Sequence, residues 1–186
     1  MLSEFDDVLR SAAASIGWDW RLLASQAYQE SRFDAAALSW AGAQGLLQLM
    51  PATARELSVS DPWDPRENAM GAARYLQWLA ENYWDEEIAE PGERLKFIFA
   101  SYNAGAGHVM DARRLAEVEG DDPDSWADVA YWLLQKSHAG VYNRPEVRHG
   151  FCRGLEPVQY VARILDRFSH YRQFVPAGRP GDTPST

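Results

Sequence analysis

Apolar residues recur three and four positions apart along almost the whole chain, a period that fits α-helices and not the alternation of half-buried strands. In "EFDDVLRSAAASI", residues 4–16, Phe5, Val8, Leu9, Ala12 and Ile16 fall on one stripe. Ser3 is the expected N-cap there, and Gly17 the stop. Asp19 is placed to cap a second helix, in which Leu22, Leu23, Gln26, Ala27 and Glu30 keep the same spacing. Pro51 marks another start, because its missing N–H is no loss at a first helical position. A further helix is expected from about Pro65, with Ala69, Ala72, Ala73, Leu76 and Leu79 inward, small enough for close helix contact. Helical patterns then continue in "PGERLKFIFASYNA", "GHVMDARRLAEV", "SWADVAYWLL" and "GLEPVQYVARILDRFSHYRQF". Strand signal is confined to residues 39–50 and 136–153, which have room for a short hairpin at most. The expectation is one compact, mainly α domain of about eight helices over residues 1–174, followed by a flexible Pro/Gly/Ser/Thr-rich tail, 175–186.

Charge removes one class of partner. Lys and Arg number 18 and Asp and Glu 27, a formal net charge of −9, whereas a phosphate backbone is held by a basic stripe that releases counterions. Nucleic acid is therefore excluded. No apolar run approaches the roughly 20 residues of a membrane span. The start, "MLSEFDDVLR", has acids where a secretory leader has a basic start and an apolar middle. Either the protein is cytoplasmic, or a leader or larger N-terminal region is expected outside this chain. Cys152, the sole cysteine, has no partner for an internal disulfide. His108, His138, His149 and His170 show no ligand spacing, and "EGDDPD" lacks the Gly and Glu of a calcium loop. No metal and no cofactor are expected. Eight Trp and eight Tyr are many for this length; about three in four are expected in the core, the usual place for such rings. Their faces also suit the C–H faces of sugars.

The chemistry-bearing candidates begin with Glu30. It stands at a helix C-terminus, where the dipole disfavours a carboxylate, and apolar neighbours would add desolvation. Both effects raise a glutamate pKa and so favour a neutral acid able to protonate a leaving oxygen. Alone, such a glutamate is more often a solvated helix end. Its company shifts that balance. Ser39 precedes "AGAQGLL", whose glycines let backbone approach a ligand, and Gln48 interrupts an apolar run with an amide that must find partners. "SYNAG" sets Tyr102 and Asn103 at the end of an apolar helix, and "EPVQYV" sets Glu156 and Tyr160 on one helix face.

Taken in order, "ESRFDAAALSWAGAQGLLQLMPATA", "ENAMGAARYLQWL", "ASYNAG" and "EPVQYV" resemble the lytic transglycosylases of the soluble type, relatives of goose-type lysozyme. The resemblance covers roughly residues 10–172, and the stretches "GHVMDARRLAEVEGDDPDSWADVAYWL" and "GFCRGLEPVQYVARI" look most like the catalytic module of the membrane-bound lytic murein transglycosylase F group. It implies a lysozyme-like fold with a long glycan cleft, peptidoglycan strands as the partner, and a monomer. It also implies a cell-envelope location, periplasmic or outer-membrane anchored, and an N-terminal solute-binding-type domain beyond this chain. Carried over, Glu30 is the catalytic acid and base; Ser39, Gln48, Tyr102 and Asn103 line the site, and Glu156 and Tyr160 support it. Gln44 sits at a variable place, and Leu47 stands where many members carry Met, a volume-tolerant swap.

Ordinary glycosidases use two carboxylates. Asp34 would lie beside Glu30 only if the helix continued, and the small polar run that follows argues that it stops. One carboxylate suffices if the substrate brings its own nucleophile. The 6-hydroxyl of N-acetylmuramic acid can attack its own C1, leaving a 1,6-anhydro end. The alternatives are a goose-lysozyme-type hydrolase, with Asp34 or Glu156 activating water, and a catalytically idle peptidoglycan-binding module.

Overall fold

The structure, a computed structural model, describes residues 1–177. Among them the order is α1 (Asp6–Ser15), α2 (Trp20–Ser31), α3 (Pro51–Glu56), α4 (Pro65–Leu79), a π-helical turn (Ala80–Trp84), α5 (Pro91–Ala104), α6 (Ala106–Glu119), α7 (Trp126–Gln135), α8 (Ala139–Tyr142) and α9 (Leu155–Phe174). The mainly helical expectation holds. Strand geometry among the described residues is confined to isolated antiparallel bridges, Leu38 with Gln44 and Gln44 with Leu49. The described residues form two compact units, one of Met1–Arg74 with the residues from Ile164 onward and the other of Tyr75–Arg163.

In the first unit α1 packs on α2. Leu9, Ala12 and Ala13 are the buried face of α1, and α2 is buried continuously from Trp20 to Ala27. Asp19 caps α2 as expected, accepting from Arg21 N at 3.0 Å. The start of α1 differs from expectation. Ser3 is not the N-cap; the helix opens at Asp6, whose carboxylate accepts from Leu2 N (2.8 Å) and Ser3 N (2.9 Å). Ser3 Oγ accepts from Phe5 N at 3.1 Å, a bond made before the first helical residue. Arg21 donates to Val175 O at 2.8 Å, and Trp20 Nε1 to Ala177 O at 2.9 Å. Of the expected tail, residues 178–186 lie outside the described residues.

In the second unit α6 packs against both α5 and α7. Gly154 fits where a Cβ would stand 1.8 Å from Leu133 O, so the start of α9 lies directly on α7. The π-helical turn and the short α8 have no counterpart in the sequence pattern.

The aromatic residues depart most from expectation. Trp20 and Trp84 of the eight Trp, and Tyr160 of the eight Tyr, are buried; the others are half-buried or exposed. The deep core is filled by Leu, Ala, Ile and Phe. A large ring with a polar edge is seldom wholly enclosed, because its N–H or O–H must reach a partner.

Candidate active site

Glu30 is the penultimate residue of α2 and is half-buried. Immediately beyond the helix the chain turns sharply: Arg32 (φ 55°) and Phe33 (φ 65°) are successive non-glycine residues in the left-handed region. Such a conformation costs about 1–2 kcal/mol per residue, and strain of this kind gathers at functional sites. Arg32 N still bonds Tyr28 O at 3.0 Å, and the Tyr28 and Phe33 rings meet edge to face at 5.6 Å. The helix therefore stops just after the glutamate. Asp34 falls outside it, exposed, with Oδ1 accepting from Ala36 N at 2.8 Å in its own turn.

The chain from Ala37 to Leu49 folds onto the end of α2 by bonds between residues of the same segment. Ser39 N donates to Ala43 O at 2.9 Å, and Ser39 Oγ accepts from Ala43 N at 2.9 Å. Gln44 and Leu49 pair in both directions, at 2.9 and 3.0 Å. Gln48 adopts φ 51° and spends both amide hydrogens on the loop, donating to Ala37 O (2.9 Å) and Gly45 O (2.8 Å). Its expected need for partners is thus met by carbonyls of the loop. Trp40, at the turn that Ser39 closes, is 97% exposed.

Residues that the sequence reading passed over fix this loop in place. Ser31 Oγ donates to Leu46 O at 2.7 Å, joining the last residue of α2 to the loop. Asn68 of α4, fully buried, accepts from Leu47 N at 2.8 Å and donates to Gln44 O (2.9 Å) and Pro62 O (2.8 Å). Gly45, at φ 78°, leaves no room for a Cβ, which would lie 2.2 Å from Pro62 O. The signal was available: an amide in "ENAMGAARYL", a helix otherwise apolar on that face, must be satisfied by something. Glu30, Ser39 and Gln48 thus stand on directly bonded segments of the first unit.

The second unit carries the remaining candidates. Tyr102, half-buried, and Asn103, exposed, end α5 just before Gly105 at φ 89°. Beneath them Ser101 is fully buried and accepts from Trp84 Nε1 at 3.0 Å. Tyr102 leans on Tyr75, ring centroids 5.2 Å apart. On α9, Glu156 is exposed in the first turn, where the dipole favours a carboxylate, and Tyr160 one turn later is buried.

One charged cluster in this unit escaped the sequence reading entirely. Asp111, fully buried, accepts from Lys136 Nζ at 2.7 Å, from Arg148 N and His149 N at 2.9 Å each, and from Arg114. Burial alone would raise this carboxyl, but the bonds from Lys136 and the two amides outweigh it and hold Asp111 well below the usual carboxylate range. Lys136 is also fully buried and lies 3.0 Å from His108 Nδ1. Burial, then the neighbouring Lys136 charge, push His108 below its ordinary value. The cluster ties residues 146–149 to α6 and α7. Among the described residues no group of three His, Cys, Asp or Glu side chains is placed to hold a metal ion.

The fold is that of the lysozyme-like lytic transglycosylases. It matches the 70 kDa soluble lytic transglycosylase of Escherichia coli with a TM-score of 0.60 at 21% identity, over 91% of this chain and 24% of that one. It also matches an inactive glutamate-to-glutamine mutant of lytic transglycosylase Slt from Pseudomonas aeruginosa, TM-score 0.56 at 23% identity, over 94% and 25% of the two chains. The chain belongs to the transglycosylase SLT domain family, whose model matches residues 7–125. It is 43% identical over 165 residues to membrane-bound lytic murein transglycosylase F of Maricaulis maris, covering 89% of this chain and 35% of that protein. With the protein of the same name from Vibrio cholerae it is 44% identical over 150 residues, 81% of this chain and 28% of that protein. The chain thus spans about a third of the length of the curated relatives it matches.

Proposed function

We propose that the protein is a lytic transglycosylase that cleaves the N-acetylmuramic acid to N-acetylglucosamine bond of peptidoglycan without water, with Glu30 as its single acid and base. The observation that carries this is the position of Glu30, one residue short of a strained left-handed pair at the end of a buried helix. Family membership and the murein transglycosylase relatives support the reaction class. The inactivity of the Pseudomonas aeruginosa enzyme with one glutamate changed to glutamine supports a site that depends on a carboxyl group.

In this reaction Glu30 gives its proton to the glycosidic oxygen as the bond from C1 breaks. The 6-hydroxyl of the same muramic acid then attacks C1, and the Glu30 carboxylate takes the hydroxyl proton. The acid is restored, a 1,6-anhydro ring closes, and no water is consumed. Tyr102 and Asn103 would hold the strand and stabilise charge at the sugar ring. The turn closed by Ser39 and the loop held by Gln48 would set the wall beside Glu30. Glu156 and Tyr160 would support the site from α9. Asp34 is engaged in its own turn and suits a water-activating base poorly.

Peptidoglycan places the working protein in the cell envelope, periplasmic or anchored to the outer membrane. No described helix is long and apolar enough to cross a membrane. A regulatory N-terminal domain beyond this chain is part of the same reading, supported by the greater length of the murein transglycosylase relatives. We take residues 1–174 to be the catalytic domain, acting as a monomer.

Mass spectrometry of purified peptidoglycan digested by the native chain and by Glu30→Gln tests the reading. Anhydro-muropeptides from the native chain alone are expected. Reducing-end products would make it a goose-lysozyme-type hydrolase, and binding without cleavage an idle module.

A further inference from the structure

Four rings of the second unit form a continuous file. Tyr102 meets Tyr75 at 5.2 Å, Tyr75 lies nearly parallel to Trp78 at 6.0 Å and 15°, and Trp78 meets Tyr83 edge to face at 5.5 Å. The file runs from the end of α5, across α4 and into the π-helical turn that follows it. Trp78 is nevertheless 44% exposed. Its orientation is set on both sides by neighbouring rings, so it presents a rigid apolar plate to solvent with little freedom left to lose on binding.

The plate has a polar border. Asn82 donates to Trp78 O at 2.8 Å, and Gln77 donates to Glu81 Oε1 at 2.8 Å, all exposed. A π-helical turn directly after a ring of this kind is also informative. Such turns are rare and frequently lie at functional sites. Here the turn brings Tyr83 against Trp78 and buries Trp84 beneath Tyr102's neighbour Ser101.

We propose that Trp78, backed by Tyr75, is an outer sugar-stacking subsite that holds a pyranose ring of the glycan strand beyond the rings contacted by Tyr102. The proposal rests on the transglycosylase reading and deepens it. An aromatic plate bordered by amides suits the apolar C–H face and polar rim of a sugar. Nucleobases also stack on such plates, but the net charge of −9 repels the phosphates that accompany them. The uncharged N-acetylglucosamine ring of a glycan strand has no such handicap. A subsite at Trp78, two rings along the file from Tyr102, acts only on strands long enough to reach it, so binding energy there favours long glycans over short ones.

The test compares native protein, Trp78→Ala and Trp78→Phe on peptide-free glycan strands of graded length prepared from peptidoglycan. For Trp78→Ala, kcat/KM is expected to fall roughly five- to tenfold on long strands, chiefly through KM, and distinctly less on the shortest cleavable oligosaccharide. Trp78→Phe keeps a ring on Tyr75 and is expected to recover most of the loss. In Glu30→Gln background, titration calorimetry should show the same length dependence without turnover. Equal losses at every length, or none, overturn the proposal while leaving the transglycosylase reading intact. Failure of the native chain to cleave any strand overturns both. If Trp78→Ala does not fold, 5-fluorotryptophan in the otherwise native chain decides. The Trp78 fluorine resonance, assigned with Trp78→Phe, must move with long strands; a resonance that stays still overturns the proposal.

Discussion

Ser31 donates its hydroxyl to the carbonyl of Leu46 at 2.7 Å, so the residue beside Glu30 is bonded to the loop that carries Gln48. The bond crosses from a helix end to a loop 15 residues further along the chain, and it fixes the catalytic candidate relative to the wall next to it. Removing it should disturb position more than stability. Ser31→Ala is expected to cost about 1 kcal/mol in urea unfolding. Turnover should fall roughly tenfold, mainly in kcat, because a small misplacement of a reacting group is expensive. Steady-state kinetics on soluble muropeptide strands check this; an unchanged kcat would show that the bond does not position Glu30.

Asn68 presents the opposite case, a residue remote from any chemistry whose loss should unfold the loop. It satisfies the Leu47 amide and the Gln44 and Pro62 carbonyls from a fully buried position. Asn68→Leu is nearly the same size and removes all three of these bonds, although Gln44 O keeps the one it accepts from Leu49 N. At about 1 kcal/mol for each hydrogen bond removed, a loss of about 3 kcal/mol is expected. Hydrogen exchange should become fast at Leu47 before it does at core positions such as Leu23. A midpoint within error of the native protein would count against this role.

Gly45 makes the same loop depend on backbone shape. Its φ of 78° and the 2.2 Å approach of a notional Cβ to Pro62 O act together. Backbone oxygen cannot swing aside as a flexible side chain can. Gly45→Ala should therefore lose more than the roughly 1–2 kcal/mol of a left-handed conformation alone. Gly42→Ala offers the control: φ is 89°, yet nothing lies within 4 Å of its notional Cβ, so only the conformational part should appear. Thermal unfolding of the two variants side by side separates the terms, and equal losses would remove the steric argument.

These residues mark where sequence reading succeeds and where it stops. Periodicity located every long helix, because a stripe of apolar residues records its burial in the order of the chain. Asp19 and Pro51 were legible for the same reason: caps act within a few residues. Ser3 misled because its hydroxyl takes the Phe5 amide ahead of the helix, which opens only at Asp6. The π-helical turn has no periodic signature, and Asn68 and Asp111 act on partners far away in sequence, Asn68 reaching back 24 residues to Gln44 and Asp111 forward 38 to His149. Rings deceived in another way: Trp40 and Trp78 look like core by composition, and only the three-dimensional structure shows them exposed.

Asp111 and Lys136 form a pair in which both side chains are wholly enclosed. Asp111→Ala would leave an ammonium buried without its counter-charge, and about 3–5 kcal/mol should be lost. Replacing both, as Asp111→Leu with Lys136→Met, should recover part of that, since apolar pairs of similar volume often substitute for buried ions. Recovery should stay incomplete, because the Arg148 and His149 amides still lack their acceptor. Denaturant unfolding of Asp111→Leu, Lys136→Met and the double variant gives the coupling directly. Full additivity of the single losses would mean that the two groups do not act as a pair.

The same cluster sets how stability changes with pH. Asp111 is held below its ordinary value of 3.8 and His108 below its ordinary 6.5. His108 faces Lys136, Asp111 and His149, and its burial and the Lys136 charge both favour the neutral ring. For each group the unfolded chain binds its proton at a higher pH than the folded protein does. Between the two values the unfolded state holds more protons, so stability falls as pH falls. The His108 contribution is complete above about pH 6.5 and is lost on acidification through its lower folded value; the Asp111 contribution is complete above about pH 4 and is lost below. Urea midpoints measured from pH 8 to 3 should therefore decline in two stages, and His108→Gln should flatten the upper stage alone. A midpoint that rises between pH 7 and 5, and does so only while His108 is present, would mean that His108 gains affinity for its proton on folding.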